Sequence, residues 1–90
     1  MGAVAEIMTR KLTEGLSPTV LEIVDDSSRH AGHAGSAPGG ETHFNISITS
    51  AAFTGLSRVA RQRLVYGILA AELEGPVHAL SLITRAPGEA

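Results

Sequence analysis

The chain has 90 residues, 43% of them hydrophobic, with no cysteine and a formal net charge of −2. That length gives one domain burying roughly 60–65% of its unfolded surface, and the lack of cysteine excludes disulfides and any thiolate metal site built from this chain alone. The acidic balance excludes a global attraction to nucleic acid or anionic lipid, and no apolar run approaches the ~20 residues of a membrane span.

The first residues, Met1 to Glu6, carry neither a signal-peptide core nor the Ser/Thr a myristoylation signal requires. The expectation is a soluble, cytoplasmic, bacterial protein without membrane contact. The domain should occupy residues 1–90, with a core over about 4–85. Val4, Ile7, Met8, Lys11 and Leu12 fall at helical spacing, with Gly15 predicted as the residue just past the helix end and Pro18 preventing continuation. A β-branched strand is predicted over about 19–25.

Residues 28–41 hold Gly32, Gly35, Gly39, Gly40 and Pro38 and read as a loop. Loops of this length are usually functional or disordered. Residues 43–49 alternate, with Phe44, Ile46 and Ile48 on one face and His43, Asn45, Ser47 and Thr49 on the other. Ser57 is an N-cap candidate. It opens a helix to Glu74 whose apolar face is predicted to run through Leu56, Ala60, Leu64, Ile68 and Ala71, with Val65 and Leu69 alongside. Gly75-Pro76 stops it, a last strand covers about 77–84, and residues 86–90 are expected to fray. The core is largely aliphatic, since Phe44, Phe53 and Tyr66 are the only aromatics.

The order α-β-β-α-β sets a topology. The first two strands pair antiparallel across the loop, and the second and third run parallel through a right-handed helical crossover. The result is an α+β domain with a three-stranded mixed sheet and helices packed on one face. This topology gathers His30, His33, His43 and His78 at one end of the sheet. Arg58, Arg61 and Arg63 fall about 25 Å away, at the other end of the crossover helix.

Each histidine has a structural and a chemical reading. His78 shares strand parity with Leu80 and Leu82, and is either a half-buried, hydrogen-bonded side chain or a metal ligand favoured by the negative helix end carrying Glu72 and Glu74. His30 and His33 are either solvated loop residues or ligands delivered by the loop. His43, on the polar strand face, reads as cross-strand packing or a structural hydrogen bond. Gly32-His33-Ala34-Gly35 matches a nucleic-acid-binding G-x-x-G, but it sits between strands rather than helices. Asp25 and Asp26 point to opposite faces. No nucleophile–base arrangement or phosphate loop is legible, so the expectation is a protein that is not an enzyme. Arg58, Arg61 and Arg63 oppose the helix dipole with no acidic residue at i+4, which points to an acidic partner or phosphates.

Asp26-Ser27-Ser28-Arg29-His30, Glu41-Thr42-His43-Phe44, Phe53-Thr54-Gly55-Leu56-Ser57, Arg61-Gln62-Arg63-Leu64-Val65-Tyr66 and Gly75-Pro76-Val77-His78-Ala79-Leu80 together resemble the BolA family, from about Ile7 to Thr84. The resemblance implies a BolA/KH-type-II-like fold. It also implies partnership with a monothiol CGFS-type glutaredoxin, the two sharing a glutathione-containing 2Fe–2S cluster that the isolated chain lacks, in iron–sulfur trafficking or iron sensing. By position, the implied ligands are His78 and His30, with His33 a rival in the loop. Two imidazoles with partner thiolates are similar to Rieske ligation. Alone, the chain is expected to be a monomer or weak homodimer. The family's alternative description is a DNA-binding transcriptional regulator reading through the second helix, with Arg58, Arg61 and Arg63 as contacts. Gln62, where a histidine often follows the arginine, departs from that pattern.

Overall fold

Ala5, Met8, Leu12 and Leu16 recur every three or four residues, and they form the buried side of α1 (Ala3–Leu16) in the computed structural model, which describes residues 2–26 and 42–89. The helix passes through Gly15, the predicted stop, and ends on Ser17. Ser17 takes a left-handed conformation (φ 44°, ψ 55°) and donates its N–H to Thr13 O. Gly15 has a different use: a Cβ there would stand 3.0 Å from Ile68 Cδ1. The missing side chain permits close approach of α1 to the crossover helix.

Strands β1 (Val20–Asp25) and β2 (His43–Thr49) pair antiparallel, with Val20 opposite Thr49 and Asp25 opposite Phe44. Strand β3 (Ala79–Arg85) runs parallel to β2, with His43 opposite Ala79 and Thr49 opposite Arg85. The sheet order is β1-β2-β3, the predicted mixed topology. Period-two alternation sends Phe44, Ile46 and Ile48 inward as expected, joined by Leu82 and partly by Leu21, Ile23 and Leu80. The helices cover this inner face, while Val20, Val24 and Ile83 stay exposed on the outer one. Buried Ser50 ties the layers together: its hydroxyl donates to Leu16 O at the end of α1 and accepts from Ala52 N.

Ser57 caps the crossover helix as predicted, accepting from Ala60 N at 3.1 Å. The helix is not continuous to Glu74. α2 (Arg58–Ile68) gives way at Leu69 (φ −99°, ψ 17°) to a short α3 (Ala70–Glu74). Its buried side is also rotated from the predicted one. Val65 and Leu69 are fully buried, whereas Leu64 is 39% exposed. The inward row runs through Arg61, Val65, Leu69 and Glu72, carrying a charge at each end. Both charges are matched from distant chain. Lys11 Nζ reaches both carboxylate oxygens of Glu72 at 2.8 and 2.9 Å. Arg61 is held by Glu89.

Of the segment expected to fray after Pro87, the described residues Gly88 and Glu89 are folded instead. Glu89 N donates to Ala86 O, and Gly88 adopts a positive φ of 87° after Pro87, the residue pattern of a type II turn. The loop expected over residues 28–41 lies outside the described residues.

Candidate functional site

Parallel pairing of β2 with β3 brings the residues before β3 against the start of β2. The carbonyl of Thr42, itself buried, accepts from His78 N at 2.8 Å and from Ala79 N at 3.2 Å. On the other side Asp26 N donates to His43 O at 2.7 Å. Three chain segments therefore converge where β1 ends and β2 begins, and two histidines come with them.

His78 lies just outside β3, not in its first position, and it is exposed. The inward orientation predicted from parity with Leu80 and Leu82 does not hold, because strand alternation has no force on a residue before the ladder. Its ring stacks on that of His43, with centroids 6.4 Å apart and planes 14° from parallel. His43 keeps its predicted place on the polar face, half-buried, and its Nδ1 lies 2.8 Å from Thr42 Oγ1. That hydrogen bond selects a ring orientation, as outer partners do for metal-binding imidazoles. A cavity of about 270 Å³ opens beside His43, lined in part by Asp26, His43, Asn45, Ala79 and Ser81 but not by His78. The topology expected from the sequence gathers His43 and His78 at one end of the sheet, as found; the stacking of their rings is the detail that sequence spacing does not carry.

Such a pair offers imidazole nitrogens, borderline donors suited to iron or zinc. Among the described residues no group of three His, Cys, Asp or Glu side chains is placed to hold a metal ion. His30 and His33 lie outside the described residues. At the negative helix end invoked beside His78, Glu72 is already engaged, whereas Glu74 is exposed. Gly75 N and Val77 N both donate to Glu72 O, and the Glu72 carboxylate, 8% exposed, faces Lys11.

The three arginines separate by orientation. Arg58 and Arg63 are exposed. Arg61 turns inward, with its side chain only 12% exposed. Its Nε donates to Leu56 O, its Nη1 and Nη2 donate to the Glu89 carboxylate at 2.6 and 2.9 Å, and its guanidinium carbon lies 6.0 Å from the Phe53 ring centre. The Arg61 hydrogen bonds, then the Ala86 N–H, lower the Glu89 carboxyl to about 2. Among the described residues, no helix is long and apolar enough to cross a membrane.

A family model described as BolA-like protein matches residues 12–89. The chain is similar to human BolA-like protein 1, with 46% identity over 89 residues, covering 99% of this chain and 62% of that protein. It therefore spans less than two thirds of this relative's length. A SufE-like protein 1, chloroplastic/mitochondrial, of Arabidopsis thaliana is 51% identical over 83 residues, covering 88% of this chain and 22% of that protein. Among solved structures, the BolA domain of SufE1 from Arabidopsis thaliana superposes with a TM-score of 0.89 at 43% identity, covering 100% of this chain and 99% of that one. The organellar plant relative and the human one overturn the expectation of a bacterial, cytoplasmic protein.

Proposed function

The chain belongs to the BolA-like protein family, and we propose that it acts there as an adaptor for a monothiol CGFS-type glutaredoxin, contributing histidine ligands to a shared, glutathione-containing 2Fe–2S cluster. The role is binding and hand-over in iron–sulfur trafficking or iron sensing, without a catalytic step of its own.

The observation that carries this reading is the contact between His43 and His78 where the strand ends meet. The donor chemistry fits iron. His78 is exposed, and its ring makes no hydrogen bond among the described residues, so its nitrogens are available to a ligand from outside. With no cysteine in the chain, the thiolates come from the partner and glutathione. When bound, the cluster supplies transferable iron and sulfide. His78 is the ligand held by folded backbone, His30 is the ligand from the loop, and His43, oriented by Thr42, backs the His78 ring. Single alanine variants of His30 and His33 distinguish the two as the loop ligand.

The test is co-purification with a CGFS-type glutaredoxin and glutathione under anaerobic reconstitution, read by visible absorption and circular dichroism. A coloured complex whose dichroism differs from that of the glutaredoxin homodimer is the expected result. A colourless complex, or no complex, overturns the proposal. The transcriptional-regulator reading draws less support. Arg61, central to it, is already bonded to Glu89, leaving Arg58 and Arg63 as the exposed cations of α2.

A further inference from the structure

At the opposite end of the sheet from the histidines, α2 begins beside the last residues of β3. A cavity of about 280 Å³ lies there, and its lining includes Arg58, Arg61, Arg85, Thr84 and Glu89. The Glu89 carboxylate is gripped by three donors: Arg61 Nη1 at 2.6 Å, Arg61 Nη2 at 2.9 Å and Ala86 N at 2.9 Å. A planar guanidinium used in this forked way suits carboxylate and phosphate alike.

One carboxylate does not balance this cavity. Neither Arg58 nor Arg85 has a carboxylate within ion-pair distance among the described residues, and Arg85 makes only a 3.5 Å contact to Ser47 Oγ. No acidic residue occupies the first turn of α2. Three arginines line a cavity that holds a single carboxylate, and two of them, Arg58 and Arg85, have no ion-pair partner among the described residues. Arg61 is also braced for a fixed task, since Leu56 O and the Phe53 ring hold the guanidinium from the protein side.

We propose that this cavity is an oxyanion site for a dianionic phosphate group, carried as the free ion or as a monoester, and that Glu89 is its built-in competitor. The carboxylate marks where a ligand oxygen sits, and Arg58 and Arg85 supply the further charge that a dianion uses and a carboxylate does not. A phosphodiester, with one charge per group, matches the excess less well. Displacement of Glu89 by phosphate frees the Ala86–Glu89 turn, so occupancy is coupled to the order of that segment. The proposal is independent of the cluster reading, because the two sites lie at opposite ends of β2 and β3.

The test is titration of the intact chain with inorganic phosphate, and separately with phenyl phosphate, at constant ionic strength. It is followed by the NMR signals of the Ala86 amide and Arg61 Nε–H. Both signals are expected to shift saturably. A tethered carboxylate competes at an effective concentration in the millimolar range, so Glu89→Gln is expected to tighten binding on the order of tenfold. Arg58→Ala, at an exposed position that leaves the Arg61 contacts intact, is expected to weaken it. Shifts no larger than chloride produces, or equal affinity in wild type and Glu89→Gln, overturn the proposal. Unchanged affinity in Arg58→Ala does so without depending on the stability of the Glu89 variant. Response to inorganic phosphate alone removes the monoester. Tighter binding of an oligonucleotide lacking terminal phosphates removes the assignment to a dianion.

Discussion

The imidazole ring of His43 lies nearly parallel to that of His78, 6.4 Å between centres, although 35 positions separate them in the chain. Thr42 joins the two, its carbonyl accepting from His78 N and its hydroxyl meeting His43 Nδ1. The unequal roles proposed for these residues separate in a variant series.

With the glutaredoxin partner, His78→Ala is expected to abolish the mixed-complex dichroism. His30→Ala is expected to give a cluster lost faster, with His33→Ala near wild type. His43→Ala is expected to retain colour but to alter the spectrum, because the ring behind His78 is gone. Wild-type spectra for both His78→Ala and His30→Ala exclude them as ligands, and a defect confined to His33→Ala moves the loop ligand to that residue.

The Arg61–Glu89 pair predicts an acid limb. The Glu89 carboxyl is lowered from 4.5 to about 2 in the folded protein, so between those values the unfolded chain binds more protons. The pair's contribution is complete above about pH 4.5 and disappears as pH falls toward 2. Urea unfolding of wild type and Glu89→Gln across this range should show a stability difference that is constant near neutrality and shrinks in acid. Being solvent-accessible, the difference should also shrink with added salt.

Gly15 separates helix propensity from packing. Alanine gains at most about 1 kcal/mol of propensity over glycine, less at this next-to-last residue of α1, and its Cβ would press on Ile68 Cδ1 at 3.0 Å. Because that contact is the far end of a flexible side chain, Gly15→Ala should fall close to neutral. Gly15→Val is expected to cost about 1–3 kcal/mol through overpacking. Adding Ile68→Val, which shortens the opposing side chain, should turn Gly15→Ala into a net gain in thermal stability.

The Lys11–Glu72 pair is asymmetric. Lys11 keeps 35% of its side-chain exposure and Glu72 only 10%. Removing the lysine therefore strands a largely desolvated carboxylate, and Lys11→Ala is expected to cost about 1–3 kcal/mol. Lys11→Met combined with Glu72→Met should recover most of that loss, since replacing both members with apolar groups removes the desolvation term. Chemical denaturation of Lys11→Met, Glu72→Met and the double variant measures the coupling. Additive effects would show that the ion pair adds nothing.

Local signals in the sequence were strong where a single periodicity governs the backbone. The alternation of Phe44, Ile46 and Ile48 marks β2 over 43–49, Ser57 marks the start of α2, and the α-β-β-α-β order leads to the mixed sheet through chain connectivity alone. The five BolA-like segments carried the family, because their order and spacing are properties of the chain itself.

Tertiary structure decided much of the remainder, for one recurring reason: several positions take their roles from residues far away in sequence. Gly15 follows the helix because Ile68 occupies the space beside it. Arg61 and Glu72 enter the inward row, displacing Leu64 from it, because Glu89 and Lys11 supply their counter-charges. His78 turns toward His43 because the residues before β3 are held by Thr42 rather than by the strand ladder. Periodicity describes which face of an element is apolar. Which charge that face can accept is settled only when the fold brings a partner to it, since an ion loses its hydration on burial and is tolerated there only against an opposite charge.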